Sequence, residues 1–122
     1  MRKVKKVLVV EDNEDVARVL TKQLEMAAYS VTLVSNGLEV LSYLDQKENE
    51  PHALILDLML PGRSGTELLN TVKSRWPLTK IFIFSAHQEY VHMLPKGEIE
   101  GFFLKTKGVD SLIAALNDSL GP

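Results

Sequence analysis

Four short, unbroken apolar runs constrain the fold of this chain most. They cover residues 7–10 (VLVV), 53–56 (ALIL), 81–84 (IFIF) and 101–104 (GFFL). None alternates polar with apolar residues, so each suits a strand buried on both faces, as in a parallel sheet. A shorter apolar stretch at 31–34 predicts an edge strand. The sequence therefore favours a five-stranded parallel sheet.

Between these runs, apolar residues recur at helical spacing, which predicts helices packed on the sheet by one face. We assign to the core four sets: Val16, Leu20, Leu24 and Ala27; Leu38, Leu41 and Leu44; Leu68, Val72 and Trp76; and Val109, Leu112, Ile113, Leu116 and Leu120. In the segment 86–100 only about two turns of helix are expected, because proline at position 95 stops a helix early. The order is β–α repeated five times, typical of an open α/β sheet with helices on both faces and right-handed crossovers.

Composition narrows the class of protein further. The chain has 122 residues, 45% of them hydrophobic, which suits one domain spanning residues 1–122. A net charge of −2 predicts no electrostatic binding to nucleic acid or anionic membranes. The absence of cysteine excludes disulfides, thiol nucleophiles and cysteine-based zinc sites. No apolar run approaches a membrane span, and we expect a cytoplasmic protein.

Polar residues follow the apolar runs at the point where each strand ends. Glu11 and Asp12 follow the first run, Asp57 the run at 53–56, Ser85 the run at 81–84, and Lys105 the last. The carboxyl ends of parallel strands share one edge of the sheet, where ligands bind. If the first and third strands are neighbours, the three carboxylates lie within a few ångströms of one another.

Such a cluster of acids predicts a bound cation. Neighbouring carboxylates raise one another's pKa unless a cation intervenes, and an all-oxygen ligand set favours Mg²⁺. With an ammonium from Lys105 and a hydroxyl from Ser85, the cluster suits phosphoryl transfer onto Asp57. Taken singly, each residue is explained more simply, as a helix cap, a turn acid or a surface charge. Their joint occurrence favours function.

The order of these motifs resembles the receiver domains of two-component response regulators, including the chemotaxis regulator. The matching segments are VLVVEDN, LILDLMLPGRSG, IFSA and GFFLKT, and the match as a whole extends over essentially the entire chain, in order. The resemblance implies a flavodoxin-like, doubly wound (βα)₅ fold with strand order 2-1-3-4-5. It also implies a signalling phosphoprotein, rather than an enzyme beyond its own phosphorylation and dephosphorylation.

The resemblance further implies a role for each site residue. Asp57 is the expected phosphoacceptor, and Mg²⁺ is expected on Glu11, Asp12, Asp57 and the backbone carbonyl of Met59. Lys105 is expected to contact the phosphoryl group, Ser85 to move toward it, and Phe102 to change rotamer with Ser85. Met59 and His87 lie two residues beyond Asp57 and Ser85, and we expect them to tune dephosphorylation. His52 and His92, like His87, are interpreted as surface residues because they lack the spacing of metal-binding histidines.

The expected partners are a sensor histidine kinase or phosphotransfer protein, a downstream protein or output domain, and a second copy on phosphorylation. Two alternatives remain: a degenerate receiver that only binds proteins, and a phosphotransferase of the haloacid dehalogenase type. Met59 stands where the latter class needs a second aspartate. Three features depart from the family pattern: Thr106 replaces a common proline, Phe102 replaces tyrosine, and the segment from Ser85 to Lys105, with its helix cut by the proline at position 95, is short.

Overall fold

Short strands alternate with helices along the chain. The computed structural model describes residues 4–46, 50–58, 65–94 and 97–121. Their strands are β1 (Lys6–Val10), β2 (Ser30–Val34), β3 (Ala53–Leu56), β4 (Lys80–Ser85) and β5 (Gly101–Leu104). Their α-helices are α1 (Glu14–Met26), α2 (Gly37–Leu44), α3 (Gly65–Arg75) and α4 (Asp110–Leu120), with 3₁₀ segments at Gln88–Met93 and Lys105–Lys107.

The described strands form a parallel sheet in the order β2-β1-β3-β4-β5, which confirms the predicted topology. In β1, β3 and β4 the apolar runs are buried, whereas β2 lies at the edge and is largely exposed. In the β1–β3 register, Val10 pairs with Leu56. The residues that follow, Glu11 and Asp57, therefore leave the sheet side by side.

Alternate strand residues pack on opposite faces of the sheet. Leu8 and Leu54 contribute to a cluster with α2 and α3, whose buried members include Val40, Leu44, Leu68, Val72 and Trp76. Val9 and Ile55 contribute to a second cluster with α1 and α4, whose buried members include Leu20, Leu24, Leu112 and Leu116. The two-sided burial explains why the strand runs carry no polar alternation.

One prediction of a helix face needs correction. Leu38 is not a core residue, because it is 60% exposed while Val40 and Leu44 face the core. Successive helix residues turn by about 100°, so Leu38 lies nearly opposite Val40. The prediction of about two turns of helix after β4 is confirmed by the 3₁₀ helix Gln88–Met93. None of the helices in the described part of the chain has the length and apolar character that a membrane-spanning helix needs.

Candidate functional site

Three carboxylates converge at the carboxyl edge of the sheet. Glu11 is 3% exposed and Asp57 is 5% exposed, while Asp12 is open to solvent. One ligand oxygen of each residue lies within 4.8 Å of those of the other two. Backbone hydrogen bonds between neighbouring strands continue for one residue past the strand ends and fix two of these acids. Glu11 N–H donates to Val34 O at 3.1 Å, and Asp57 N–H donates to Val10 O at 3.2 Å.

Lys105 joins the two buried acids. Its Nζ lies 2.6 Å from Glu11 Oε1 and 2.7 Å from Asp57 Oδ2. The lysine follows β5, and its side chain, 15% exposed, reaches across the end of β4 to these carboxylates on β1 and β3. The sequence prediction that strand-end residues meet at one edge is thus confirmed for the position of Lys105.

Burial and charge act in opposite directions on these groups. Burial raises the pKa of Glu11, assisted by the nearby Asp57 charge and opposed by Lys105 and the Asn13 N–H. Burial alone would lower the pKa of Lys105, but the hydrogen bonds and charges of Asp57 and Glu11 outweigh it and raise that pKa. Lys105 is therefore held as an ammonium ion beside the acids.

The acid cluster fits a hard divalent cation. Carboxylate oxygens are the preferred ligands of Mg²⁺, which also keeps several waters, and the exposure of Asp12 leaves a side open to solvent. When the three acids are ionised, Lys105 neutralises only part of their charge. The Met59 carbonyl, expected from the sequence as a further ligand, lies outside the described residues.

Ser85 and Phe102 lie on adjacent strands on the same side of the sheet. Ser85 is fully buried at the end of β4, and its Oγ accepts the N–H of His87 at 3.2 Å. It pairs in register with Leu104, the residue before Lys105. Phe102 is half-buried and packs against the core cluster formed with α2 and α3, to which Ile83, two residues before Ser85, also belongs.

The histidines occupy different surroundings. His87 is exposed, with Nδ1 3.4 Å from Glu89 Oε1, and His92 is also exposed. His52 is partly exposed, and its Nδ1 accepts the backbone N–H of Lys6 at 2.9 Å. This hydrogen bond joins the start of β1 to the residue before β3. It lies at the amino ends of the strands, whereas the acids lie at the carboxyl ends.

Asn13 is a site residue that the sequence analysis missed. Its backbone N–H donates to Glu11 Oε2, and its side chain caps α1. An asparagine just before a helical apolar pattern is a recognised start signal and identifies the cap. The contact with Glu11 has no such signal, because it depends on the conformation of the turn.

Comparisons with known proteins agree with this geometry. Residues 7–117 match the family model of the response regulator receiver domain. The uncharacterized transcriptional regulatory protein YkoG of Bacillus subtilis is 40% identical over 80 residues, which are 66% of this chain and 34% of YkoG. The matched segment thus spans about a third of that relative.

Solved structures show the same fold. The response regulator TrrA of Thermotoga maritima superposes with a TM-score of 0.83 at 24% identity, covering 94% of this chain and 98% of TrrA. A response regulator of Burkholderia pseudomallei superposes with a TM-score of 0.79 at 28% identity, covering 94% of this chain and 69% of that protein. With the family match over nearly its whole length, this chain belongs to the response regulator receiver domain family.

Proposed function

We propose that Asp57 accepts a phosphoryl group in an Mg²⁺-dependent reaction. One observation carries the proposal: Lys105 Nζ lies 2.7 Å from Asp57 Oδ2, within a cluster whose carboxylate oxygens lie within 4.8 Å of one another. An acidic nucleophile, an ammonium group and a set of hard-ion ligands are the components that phosphoryl transfer to a carboxylate requires.

In the proposed transfer, a carboxylate oxygen of Asp57 forms a bond to phosphorus as the P–N bond of a phosphohistidine breaks. The electron pair of that bond leaves with the histidine ring, and the product is an aspartyl phosphate. Lys105 donates hydrogen bonds to the transferred oxygens. Glu11, Asp12 and Asp57 would hold Mg²⁺, which neutralises charge that develops on the phosphoryl oxygens.

Two neighbours support the chemistry. TrrA was crystallised in complex with Mg²⁺–BeF, and the Burkholderia pseudomallei protein contains a phosphorylated aspartic acid and a calcium ion. The near-complete burial of Glu11 and Asp57, with Lys105 between them, provides a comparable set of groups in this chain. It also favours a phosphoacceptor over a domain that only binds partners.

The proposed consequence of phosphorylation is a change at a protein-binding surface. Ser85 would move toward the phosphoryl group, and Phe102, on the same side of the adjacent strand, would follow. We propose a histidine kinase or phosphotransfer protein as the donor, and a downstream protein, an output domain or a second copy as the recipient of the signal. The transcriptional regulator YkoG, almost three times as long as the matched segment, supports an output function.

Intact-mass spectrometry tests the phosphoacceptor. The protein is treated with acetyl phosphate with and without Mg²⁺, alongside Asp57→Asn and the control Asp45→Asn, which changes an exposed aspartate paired with Arg75. We expect one phosphoryl addition in the wild type and in Asp45→Asn with Mg²⁺, and none in Asp57→Asn. Equal addition to Asp57→Asn would refute the assignment.

A further inference from the structure

Asn13 makes hydrogen bonds in two directions from the turn between β1 and α1. Its backbone N–H donates to Glu11 Oε2 at 3.1 Å. Its side-chain Oδ1 accepts the N–H groups of Asp15 and Val16, both at 3.0 Å. Asn13 is therefore both the N-cap of α1 and a partner of a candidate metal-binding acid.

The Glu11 carboxylate is held at both oxygens. Oε1 contacts Lys105 Nζ at 2.6 Å, and Oε2 accepts the Asn13 N–H. The Lys105 Nζ lies at the end of a long side chain and also contacts Asp57. The Asn13 N–H, in contrast, belongs to the backbone at the start of a helix. The backbone donor is thus the more rigid of the two supports.

The cap determines where that N–H points. Asn13 has extended backbone angles, φ −80° and ψ 116°, as an N-cap residue requires. Between the end of β1 at Val10 and the start of α1 at Glu14 the turn comprises only residues 11–13, so it has little slack. Without the side-chain cap, the first turn of α1 loses the two hydrogen bonds that Asn13 Oδ1 accepts, and the direction of the Asn13 N–H is held less firmly.

We infer that Asn13 is a positioning residue for the metal site: its cap orients the Glu11 carboxylate toward the ion without touching the ion itself. The inference rests on the metal site proposed above and adds a residue to it. Hydrogen bonds that orient metal ligands typically change metal affinity about 10- to 100-fold when they are removed. Asn13 acts through its backbone, so we expect the lower end of that range.

Isothermal titration with MgCl₂ tests the inference on four proteins: wild type, Asn13→Ala, Asn13→Ser and Asn36→Ala. Serine retains capping ability, whereas alanine does not. Asn36 is a matched control because its side chain caps α2 by accepting the Glu39 N–H at 3.0 Å, and its side-chain hydrogen bonds run to Glu39. Thermal unfolding of each variant reports the cost of losing a cap.

We expect roughly tenfold weaker Mg²⁺ binding in Asn13→Ala, with affinity close to wild type in Asn13→Ser and Asn36→Ala. Unchanged Mg²⁺ affinity in Asn13→Ala would overturn the inference, as would an equal loss in Asn36→Ala, which indicates general destabilisation. Failure of the wild type to bind Mg²⁺ is a different result, because it refutes the metal site itself.

Discussion

At the scale of single residues, Lys105 places a positive charge next to the acids of the site. It contacts Glu11 and Asp57 at 2.6 and 2.7 Å, and both acids are nearly buried. In a metal-free protein, this ammonium group offsets part of the repulsion between carboxylates. Its contact with the acids and its proposed role as phosphoryl ligand can be separated by measuring metal binding and phosphorylation independently.

We predict that Lys105→Ala still binds Mg²⁺ but is phosphorylated poorly. The carboxylates that would hold the ion remain, whereas the group that meets the phosphoryl oxygens is gone. Calorimetry measures Mg²⁺ affinity, and intact mass after acetyl phosphate treatment measures the phosphoryl yield. Loss of Mg²⁺ binding in the folded variant would contradict the assignment of Lys105.

The lifetime of the phosphorylated form is the second residue-scale prediction. Met59, which lies outside the described residues, and His87 both follow strand-end site residues by two positions. A hydrolytic water must approach phosphorus in line with the acyl phosphate. We expect faster loss of phosphate in Met59→Asn, whose amide can orient that water, and an altered rate in His87→Ala. Unchanged decay in both, measured by mass spectrometry over time, would refute the role of these positions.

At the scale of elements, the turn that follows α1 contains a strained residue. Ala28 has a positive φ of 71°, in the left-handed region that non-glycine residues rarely occupy. It follows Ala27, whose backbone N–H donates to Gln23 O and Leu24 O in the last turn of the helix, and it precedes the buried Tyr29. The chain accepts this conformation because it turns sharply from α1 into β2.

We predict that Ala28→Gly stabilises the protein by about 0.5–1 kcal/mol, because glycine adopts positive φ without the steric cost that a Cβ incurs. Ala27→Gly is the matched control: its φ is −87°, so the substitution there should destabilise. Urea unfolding measures both. A lower unfolding free energy in Ala28→Gly would show that the alanine conformation carries no strain.

At the scale of the whole molecule, distant parts of the chain are tied together away from the site. Tyr29, after α1, donates its hydroxyl to Asn117 Oδ1 in α4 at 2.5 Å, across 88 positions of sequence. Burial raises the pKa of Tyr29 from its ordinary value. The folded protein therefore resists ionisation of Tyr29 at a pH where the unfolded chain ionises freely.

This difference predicts how stability depends on pH. A group whose pKa is raised by folding contributes its full stability below the unfolded pKa, and that contribution is lost as pH rises toward the folded pKa. Wild-type stability should thus fall above about pH 10. Tyr29→Phe should be less stable at pH 7 by about 1 kcal/mol, because it loses the hydrogen bond, and should decline less steeply above pH 10. Urea unfolding across pH 7–11 gives both values, and identical slopes would contradict the prediction.

The amino-acid pattern alone determined the sheet, most of the core and the residues at the strand ends. Apolar runs without alternation identify strands buried on both faces, and the acids, the hydroxyl and the lysine are placed simply by following each run. Helical spacing predicted the inward faces well except at Leu38, because a short helix with apolar residues on several sides does not specify which side packs.

Only the tertiary structure decided how the strand ends combine. Strand order and the Val10–Leu56 register place Glu11 beside Asp57, and the length of the Lys105 side chain across β4 brings its ammonium group to both. The hydrogen bond from Asn13 to Glu11 arises in the same way, from backbone angles in a three-residue turn. Contacts between separate strands and turns depend on distances in space, whereas periodicity reports only the local faces of each element.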